Sequence, residues 1–233
     1  AKSLIGTDAF QEVDTYGLSI PVTKHNFLVG SAAELLTVIP KAFRLAASGR
    51  PGPVLVDIPK DVQNERIEVV AWPEPGVPDA VPVPDEALVA EAAAMISEAR
   101  RPILYLGGGV VHSGASALAV ELAEKAGLPT VMTLMALGTM PVDHPLSLGM
   151  LGMHAARCTN LALEECDLLI ALGARFDDRA TGKVSAFCPA AKIIHVDIDH
   201  AELDKLKAAH VAIRGDVRDV LNRLLPLVAA DSR

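Results

Sequence analysis

Residues 103–109 read Ile-Leu-Tyr-Leu-Gly-Gly-Gly, a short run of large apolar side chains that stops at three consecutive glycines. A run of this length and composition is typical of a buried strand in a parallel sheet. Asp85 can cap a preceding helix that runs to about Ala99, and Ser113 can cap a helix that follows the glycines. This order of helix, strand, glycine turn and helix predicts an α/β domain.

The same alternation of short apolar runs and amphipathic segments continues to residue 225. The second helix is predicted to end at Gly127, whereas residues 149–154 have no regular period and are predicted to form an ordered loop. Strands that alternate with helices are joined by right-handed crossovers, so the pattern predicts a doubly wound parallel sheet. Further strands are predicted at 130–133, 168–172, 193–196 and 211–213, and further helices at 156–164, at 201–208 and after Asp216.

A proline-rich segment, residues 71–87, separates this regular region from the start of the chain. Because proline cannot donate a backbone hydrogen bond, the segment predicts an extended linker between domains. Before it, a helix over residues 31–49, which contains the unfavourable Pro40, leads to a buried strand at residues 53–59 with no earlier strand. The chain is therefore expected to contain a partial α/β domain at 1–70, the linker at 71–87 and the doubly wound domain at 88–233. Its first residue, Ala1, predicts a fragment of a longer protein.

The composition argues against several classes of function. The chain carries 21 Lys and Arg against 29 Asp and Glu, a formal charge of −8, and only 3% of its residues are aromatic. Nucleic acids and anionic membranes bind clustered positive charge, so neither is expected as a partner. No uncharged apolar run is long enough to span a bilayer, and a cytoplasmic location is expected. Cys158, Cys166 and Cys188 lack the spacing of a zinc site, so we expect inert, reduced thiols and no metal site.

Ligands of open parallel sheets bind beyond the carboxyl ends of the strands. Three glycines at such an end allow backbone amides to approach a pyrophosphate closely. However, the Gly-x-Gly-x-x-Gly spacing of dinucleotide sites fails, since His112 stands where the third glycine belongs. A cofactor site and a simple tight turn therefore both remain open for the glycines. The predicted strand ends are Gly-rich or polar, and they comprise residues 107–109, 133–138, 173–179, 197–199 and 215–216.

The charged residues at these strand ends have two interpretations each. Arg175 and Arg179 can bind a phosphate or carboxylate bidentately, or they can pair with the two aspartates between them. Asp197 and Asp199 can accept hydrogen bonds from the hydroxyls of a nucleotide cofactor, or they can cap a helix. His154 lies in the aperiodic segment, where a lone histidine is usually structural. The residues alone thus predict a cofactor-binding α/β domain attached to part of another domain.

Several motifs resemble those of acetolactate synthase, also called acetohydroxyacid synthase, a thiamine-diphosphate enzyme, and they are most similar to its large catalytic subunit of the bacterial type. They follow the family's order over essentially the whole chain, with one departure at Ala155, where the family usually has glycine. In the first part of the chain the motifs are IGTDAFQE (5–12), TKHN (23–26), SGRPGPV (48–54) and DIPKDVQ (57–63). In the second part they are GGG (107–109), GMLGMH (149–154), GARFDDR (173–179), TGK (181–183) and HVDID (195–199).

The resemblance implies that residues 1–70 are the C-terminal part of the pyrimidine-binding domain and that residues 88–233 are the central domain, which holds FAD. The motifs that anchor thiamine diphosphate and Mg²⁺ would lie outside this chain, which would therefore be inactive alone. The whole enzyme decarboxylates pyruvate and joins the remaining two-carbon unit to a second 2-keto acid, in isoleucine and valine biosynthesis, with FAD as a structural cofactor. Expected partners are the remaining domains, further copies in a homodimer or tetramer, a small regulatory subunit and 2-keto acid substrates.

The resemblance also implies roles for particular residues. Arg179 would receive the carboxylate of the second 2-keto acid, and Arg175 fits a phosphate of FAD. The substrate channel would be lined by Phe10, Gln11, Lys60, Met153 and Asp178. FAD would be bound by Arg50, Gly107, Gly108, Gly109, Thr133, Leu134, His154, Gly173, Arg175, Asp197, Ile198, Asp199 and Asp216.

Two other hypotheses stay open on the sequence. One is a free-standing nucleotide-binding module that has this fold and catalyses nothing. The other is a related thiamine-diphosphate enzyme, such as a pyruvate oxidase with a redox-active flavin or a glyoxylate carboligase. The run at residues 173–179 favours the synthase over these related enzymes.

Overall fold

The computed structural model describes residues 1–230. The chain divides into two compact units, one comprising Ala1–Val81 and the other beginning at Pro82. Each unit has its own parallel sheet. Residues 64–85 contain no helix or strand. Within the described part of the chain, no helix is long and apolar enough to cross a membrane.

The first unit contains a two-stranded parallel sheet, short helices and a small apolar centre formed by Val29, Val38 and Val62. Its two strands pair with His25 opposite Val54. The elements in chain order are a 3-10 helix (Lys2–Leu4), α1 (Thr15–Ser19), a 3-10 helix (Ile20–Val22), β1 (His25–Leu28), α2 (Leu35–Ala47), β2 (Val54–Asp57) and α3 (Lys60–Gln63).

Three expectations for the first unit are wrong. Strand β1 precedes β2, although no earlier strand is predicted, because the polar His25 and Asn26 leave only two apolar residues in it. Strand β2 is half-buried along its length rather than buried, since the sheet has only two strands. Helix α2 begins at Leu35 rather than at residue 31, and it continues through Pro40 without a break.

The second unit is built on six parallel strands, which confirms the predicted parallel sheet. The strands are β3 (Pro102–Leu106), β4 (Thr130–Met132), β5 (Ser147–Met150), β6 (Leu168–Leu172), β7 (Lys192–Asp197) and β8 (Val211–Arg214). Their order across the sheet is β5, β4, β3, β6, β7, β8. Strand β3 pairs with β6 over its whole length, from Pro102 opposite Leu168 to Leu106 opposite Leu172.

Helices and ordered loops cover both faces of this sheet, as a doubly wound fold requires. The helices are α4 (Glu86–Glu98), α5 (Gly108–His112), α6 (Ser116–Lys125), α7 (Arg157–Glu165), α8 (Asp178–Thr181) and α9 (Val217–Leu224), with 3-10 helices at Leu134–Ala136, Gly152–His154 and Val184–Ala186. Because side chains alternate along a strand, Leu104 and Leu106 pack with α4, α6 and α9 on one face. Ile103 and Tyr105 pack on the other face with α7 and residues 174–188.

Three expectations for the second unit are also wrong. Residues 147–150 form the edge strand β5, so the first two residues of the predicted loop at 149–154 belong to a strand. The sequence pattern misses this strand because an edge strand needs no continuous apolar run. Residues 201–208 form turns rather than a helix, since Asp204 is left-handed and its carboxylate accepts the amide of Ala209. The helix after β3 begins at Gly108, so Ser113 follows its last residue instead of capping the next one.

Candidate functional site

The strand order of the sheet reverses its direction of growth between β3 and β6. From β3 the chain builds the sheet outward through β4 to β5, whereas from β6 it builds in the opposite direction through β7 to β8. Open α/β sheets bind ligands at such a reversal, beyond the carboxyl ends of the two central strands. Here the loops that follow these strands are residues 107–109 and 173–179, two of the five strand-end segments that the sequence singles out.

The two loops touch each other through their backbones. The amide of Gly107 donates to the carbonyl of Leu172 at 2.9 Å, and that of Gly109 donates to Gly173 at 3.1 Å. A Cβ at Gly107 would lie 2.1 Å from the Gly173 carbonyl oxygen, and a Cβ at Gly173 would lie 2.5 Å from the Cα of Gly109. Close packing therefore explains these three glycines without any ligand. Gly108, which begins α5, is the member of the triplet whose Cβ would meet only side chains, Met135 first at 3.1 Å.

Arg175 is exposed in the loop that follows β6, between the buried residues Ala174 and Phe176. It makes no ion pair within residues 1–230, so the interpretation of mutual pairing with the aspartates is not realised for it. Asp177 instead caps α8, where its carboxylate accepts the amides of Arg179 and Ala180. An exposed guanidinium at a sheet edge without a carboxylate partner is available to an anionic ligand.

Arg179, Asp178 and Met153 form one exposed cluster beside this loop. The Arg179 Nε lies 3.9 Å from the Asp178 carboxylate, and its Nη1 lies 3.9 Å from the Met153 sulfur. Gly152 makes the cluster possible, because a Cβ there would lie 2.2 Å from the Arg179 carbonyl oxygen. His154 is exposed in the same 3-10 turn as Met153. The structure thus brings together two of the residues assigned to the substrate channel and the arginine assigned to the substrate carboxylate.

The end of β4 contributes a buried polar atom without a partner. Within residues 1–230 the Oγ1 of Thr133 is buried and makes no hydrogen bond. Its backbone amide donates to the carbonyl of Leu106, which holds the residue beside the end of β3. The next residue, Leu134, is exposed and begins a 3-10 helix. Leaving a hydroxyl unpaired costs free energy, so an external hydrogen-bond partner at Thr133 would be stabilising.

Three carboxylates stand at the ends of β7 and β8. Asp197 is buried, and burial raises the pKa of its carboxyl above the ordinary value. Its Oδ1 accepts the amide of Asp199 at 2.9 Å, beyond the half-buried Ile198, and the carboxylate of Asp199 accepts the amide of Ala201 at 3.0 Å. Asp216 caps α9 through the amide of Arg218. Asp216 thus has the predicted capping role, whereas Asp199 stabilises a turn instead of a helix.

The remaining candidate residues lie in the first unit. Phe10 is 94% exposed, and Gln11 next to it has a left-handed backbone. Lys60 is exposed at the start of α3, and Arg50 follows the left-handed Gly49 after α2. Within this unit Lys60 makes no hydrogen bond or ion pair with Phe10 or Gln11. The structure does not join these residues into one cluster.

In the described part of the chain, no group of three or more His, Cys, Asp or Glu side chains is arranged so that it could hold a metal ion. Cys166 and Cys188 are buried, and the thiol hydrogen bond between them lowers the pKa of Cys166 and raises that of Cys188. Cys158 is exposed.

Sequence reasoning missed the close packing of Gly152 and the contact of His195 with the loop above it. The Nε2 of His195 lies 2.8 Å from the carbonyl oxygen of Ala174. A polar residue inside the apolar run Ile193 to Val196 could have indicated a specific hydrogen bond, because buried polar groups in strands are nearly always paired.

Comparison with known proteins identifies the family. Residues 89–224 match the family model for the thiamine pyrophosphate enzyme central domain. The chain is 63% identical to the acetolactate synthase isozyme 1 large subunit of Escherichia coli K12, over 99% of this chain and 41% of that protein. It is 51% identical to the acetolactate synthase large subunit of Corynebacterium glutamicum, over 98% and 37%, and 46% identical to a probable acetolactate synthase large subunit of Methanocaldococcus jannaschii, over 97% and 39%.

The match extends well beyond the central domain but not over the relatives' whole length. It includes the first unit as well as the second, in agreement with the resemblance of the sequence motifs. The chain spans about two fifths of the length of the curated relatives that it matches. With a six-stranded parallel sheet over the matched residues, the chain belongs to the thiamine pyrophosphate enzyme family, whose central domain it contains.

Proposed function

We propose that this chain is a section of an acetolactate synthase large subunit and that its second unit binds FAD. The identities of 46–63% to three such subunits, over nearly the whole chain, support the first part. In the whole subunit, pyruvate would be decarboxylated and joined to a second pyruvate or to 2-ketobutyrate, in the synthesis of isoleucine and valine. Thiamine diphosphate supplies the carbanion chemistry of that reaction.

The reversal of strand order between β3 and β6 supports the flavin proposal, and the exposed Arg175, which makes no ion pair within residues 1–230, carries it. A dinucleotide needs close backbone approach, a cation for its phosphates and acceptors for its hydroxyls. The residues fit these needs: Gly108 begins a helix directly after β3, Arg175 offers a guanidinium, and the Thr133 hydroxyl is buried without a partner within residues 1–230. Asp197 and Asp199 would accept hydroxyl hydrogen bonds from the cofactor. Arg50, Gly107, Gly109, Leu134, His154, Gly173, Ile198 and Asp216 complete the proposed set.

The exposed cluster of Arg179, Asp178 and Met153 supports a role in substrate binding. Arg179 has one weak ion pair, at 3.9 Å, so a carboxylate substrate could compete for its guanidinium. We propose that Arg179 binds the carboxylate of the second 2-keto acid, beside Met153 and Asp178. Phe10, Gln11 and Lys60 are proposed to line a substrate channel in the assembled enzyme.

The chain as given is proposed to be inactive. Thiamine diphosphate and Mg²⁺ would be held by parts of the subunit outside it, in a cytoplasmic homodimer or tetramer with a small regulatory subunit. We expect no acetolactate from pyruvate when the chain is supplied with thiamine diphosphate, Mg²⁺ and FAD, and product formation by the whole subunit under the same conditions.

Titration of FAD tests the cofactor proposal on the chain itself, with flavin fluorescence as the readout and NAD as a competitor. Arg175→Ala is expected to weaken binding about tenfold, because a charge-assisted hydrogen bond to phosphate is lost. Arg100→Ala is the matched control, since Arg100 is an exposed arginine at the opposite, amino-terminal edge of the sheet. Equal affinity of the Arg175 variant and the wild type, or no saturable binding of FAD, would refute the proposed flavin site.

A further inference from the structure

A single imidazole is buried beneath the loop that carries Arg175. His195 in β7 is fully buried, and its neighbours on the adjacent strands are alanines, Ala171 in β6 and Ala212 in β8. Its Nε2 lies 2.8 Å from the carbonyl oxygen of Ala174, and its ring meets the ring of Phe176 edge-on, with 5.0 Å between centroids. The residues on both sides of Arg175 are therefore in contact with one side chain.

The hydrogen bond to Ala174 determines where the proton of the ring lies. A carbonyl oxygen can only accept, so Nε2 carries the proton and donates it. Nδ1 is buried and has no hydrogen-bond partner within residues 1–230. A second proton on Nδ1 would thus have no acceptor there, and the neutral ring is the form that fits.

The charges around His195 do not change this assignment. Asp197 on the same strand, together with Asp204 and Glu202 from the turns that follow it, favours the protonated ring. Burial outweighs them and lowers the pKa of His195 below its ordinary value. The side chains opposite it on β6 and β8 are alanines, which carry no charge.

The loop above His195 needs support because its backbone is unfavourable. Phe176 has φ of +57°, a left-handed conformation that is unfavourable for a residue with a large side chain, whereas Gly173 adopts the same φ without strain. Phe176 is held in place by edge-on contacts with Tyr105 and Phe187 as well as with His195. Arg175 is exposed between two anchored neighbours, so the direction of its side chain follows from theirs.

We propose that His195 is a positioning residue of the carboxyl-edge site: its neutral ring holds Ala174 and Phe176, and thereby fixes Arg175 where a phosphate can bind. The identity of the ligand rests on the proposed function. The contact of His195 with the loop does not rest on the proposed function, because it is a property of the chain alone. His195 itself touches no ligand, so it acts only through the loop.

Two substitutions and one matched control separate this role from simple core packing. His195→Gln keeps a donor close to the place of Nε2, whereas His195→Leu has similar bulk and no donor. Ile193→Val removes a methyl group from the same strand and the same face, two residues away, and leaves the hydrogen bond from His195 to Ala174 in place. The readouts are FAD affinity by fluorescence and hydrogen exchange of the amides of residues 173–176, both at pH 7.5.

We expect His195→Leu to weaken FAD binding about tenfold and to speed amide exchange in residues 173–176 about tenfold, since one buried hydrogen bond is lost. His195→Gln is expected to stay within about threefold of the wild type in both readouts, and Ile193→Val to change neither. Acid should weaken FAD binding by the wild type only at a pH below the ordinary range for histidine, because burial lowers the pKa of His195, and should do so less in His195→Gln.

Each outcome bears on one proposal or the other. Unchanged exchange in a folded His195→Leu variant would overturn the positioning role, whatever the chain binds. If the wild type does not bind FAD, the proposed flavin site fails and amide exchange alone decides the role of His195. If His195→Leu does not fold, the pH profiles decide, because an acid transition of equal size in His195→Gln and the wild type would exclude His195 as its cause.

Discussion

Gly173 is the residue at which the two central loops approach each other most closely. Its φ is +57°, and a Cβ there would lie 2.5 Å from the Cα of Gly109. Gly173→Ala is therefore expected to destabilise the second unit by about 3 kcal/mol or more, the combined cost of left-handed backbone and overpacking. Gly114→Ala is the matched control, because Gly114 has φ of +65° but nothing within 4 Å of its Cβ position. Thermal unfolding of both variants measures the difference, and equal losses would show that the loops do not meet backbone to backbone.

Asp197 illustrates a residue whose charge is unfavourable for stability. Burial raises the pKa of its carboxyl, so the folded state binds the proton more tightly than the unfolded state does. The stability that this carboxyl contributes is present at low pH and is lost as pH rises through the folded pKa. Asp197→Asn keeps an acceptor for the amide of Asp199 and should raise the free energy of unfolding by about 1 kcal/mol at pH 7.

The size of this gain should depend on pH. Denaturant unfolding of Asp197→Asn and the wild type at pH 7 and pH 4 is expected to give a smaller difference at pH 4, because a larger fraction of the wild-type carboxyl is protonated there. Asp85→Asn, at an exposed cap, is the control for the substitution itself. A difference that is the same at both pH values would contradict the assigned cause.

Among the elements, helix α4 offers the simplest test of a predicted boundary, because the sequence predicts its start from a single residue, Asp85. The carboxylate of Asp85 accepts the amide of Ala87 at 2.8 Å and so caps the helix. Asp85→Ala should reduce the free energy of unfolding of the second unit by about 1 kcal/mol, whereas Asp85→Ser should retain most of it. Chemical denaturation monitored by circular dichroism measures both, and a neutral Asp85→Ala substitution would show that the cap contributes nothing.

The elements that the sequence predicts well are those in which local preference and burial agree. Strands β3 and β6 are continuous apolar runs buried on both faces, and caps such as Asp85 and Asp216 are local hydrogen bonds. Strand β5 and the turns at 201–208 depend instead on pairing at the sheet edge and on the left-handed Asp204, which no local pattern specifies. The same holds at the site: strand ends could be predicted, but the contact of His195 with Ala174 joins residues 21 positions apart.

At the scale of the whole molecule, the two units bury very different amounts of apolar surface. Three valines form the buried centre of the first unit, where Phe43 is 68% exposed and Val22 is 72% exposed. The second unit has a large apolar cluster on each face of its sheet. Because the free energy of local opening follows buried apolar contact, the first unit is expected to open at lower cost than the second.

Native-state hydrogen exchange in low concentrations of denaturant measures this difference. The amides of β1, β2 and α2 should exchange through an opening that costs at least about 2 kcal/mol less than that of β3, β6 and β7. Val38 in α2 and Val89 in α4 make a matched pair of buried helical positions, one in each unit. If the amides of Val38 and Val89 exchange through openings of equal free energy at every denaturant concentration, the two units unfold together and the first does not have the weaker core. If they separate as expected, proteolysis under the same conditions should cut within residues 1–81 first, because cleavage follows the population of the open form.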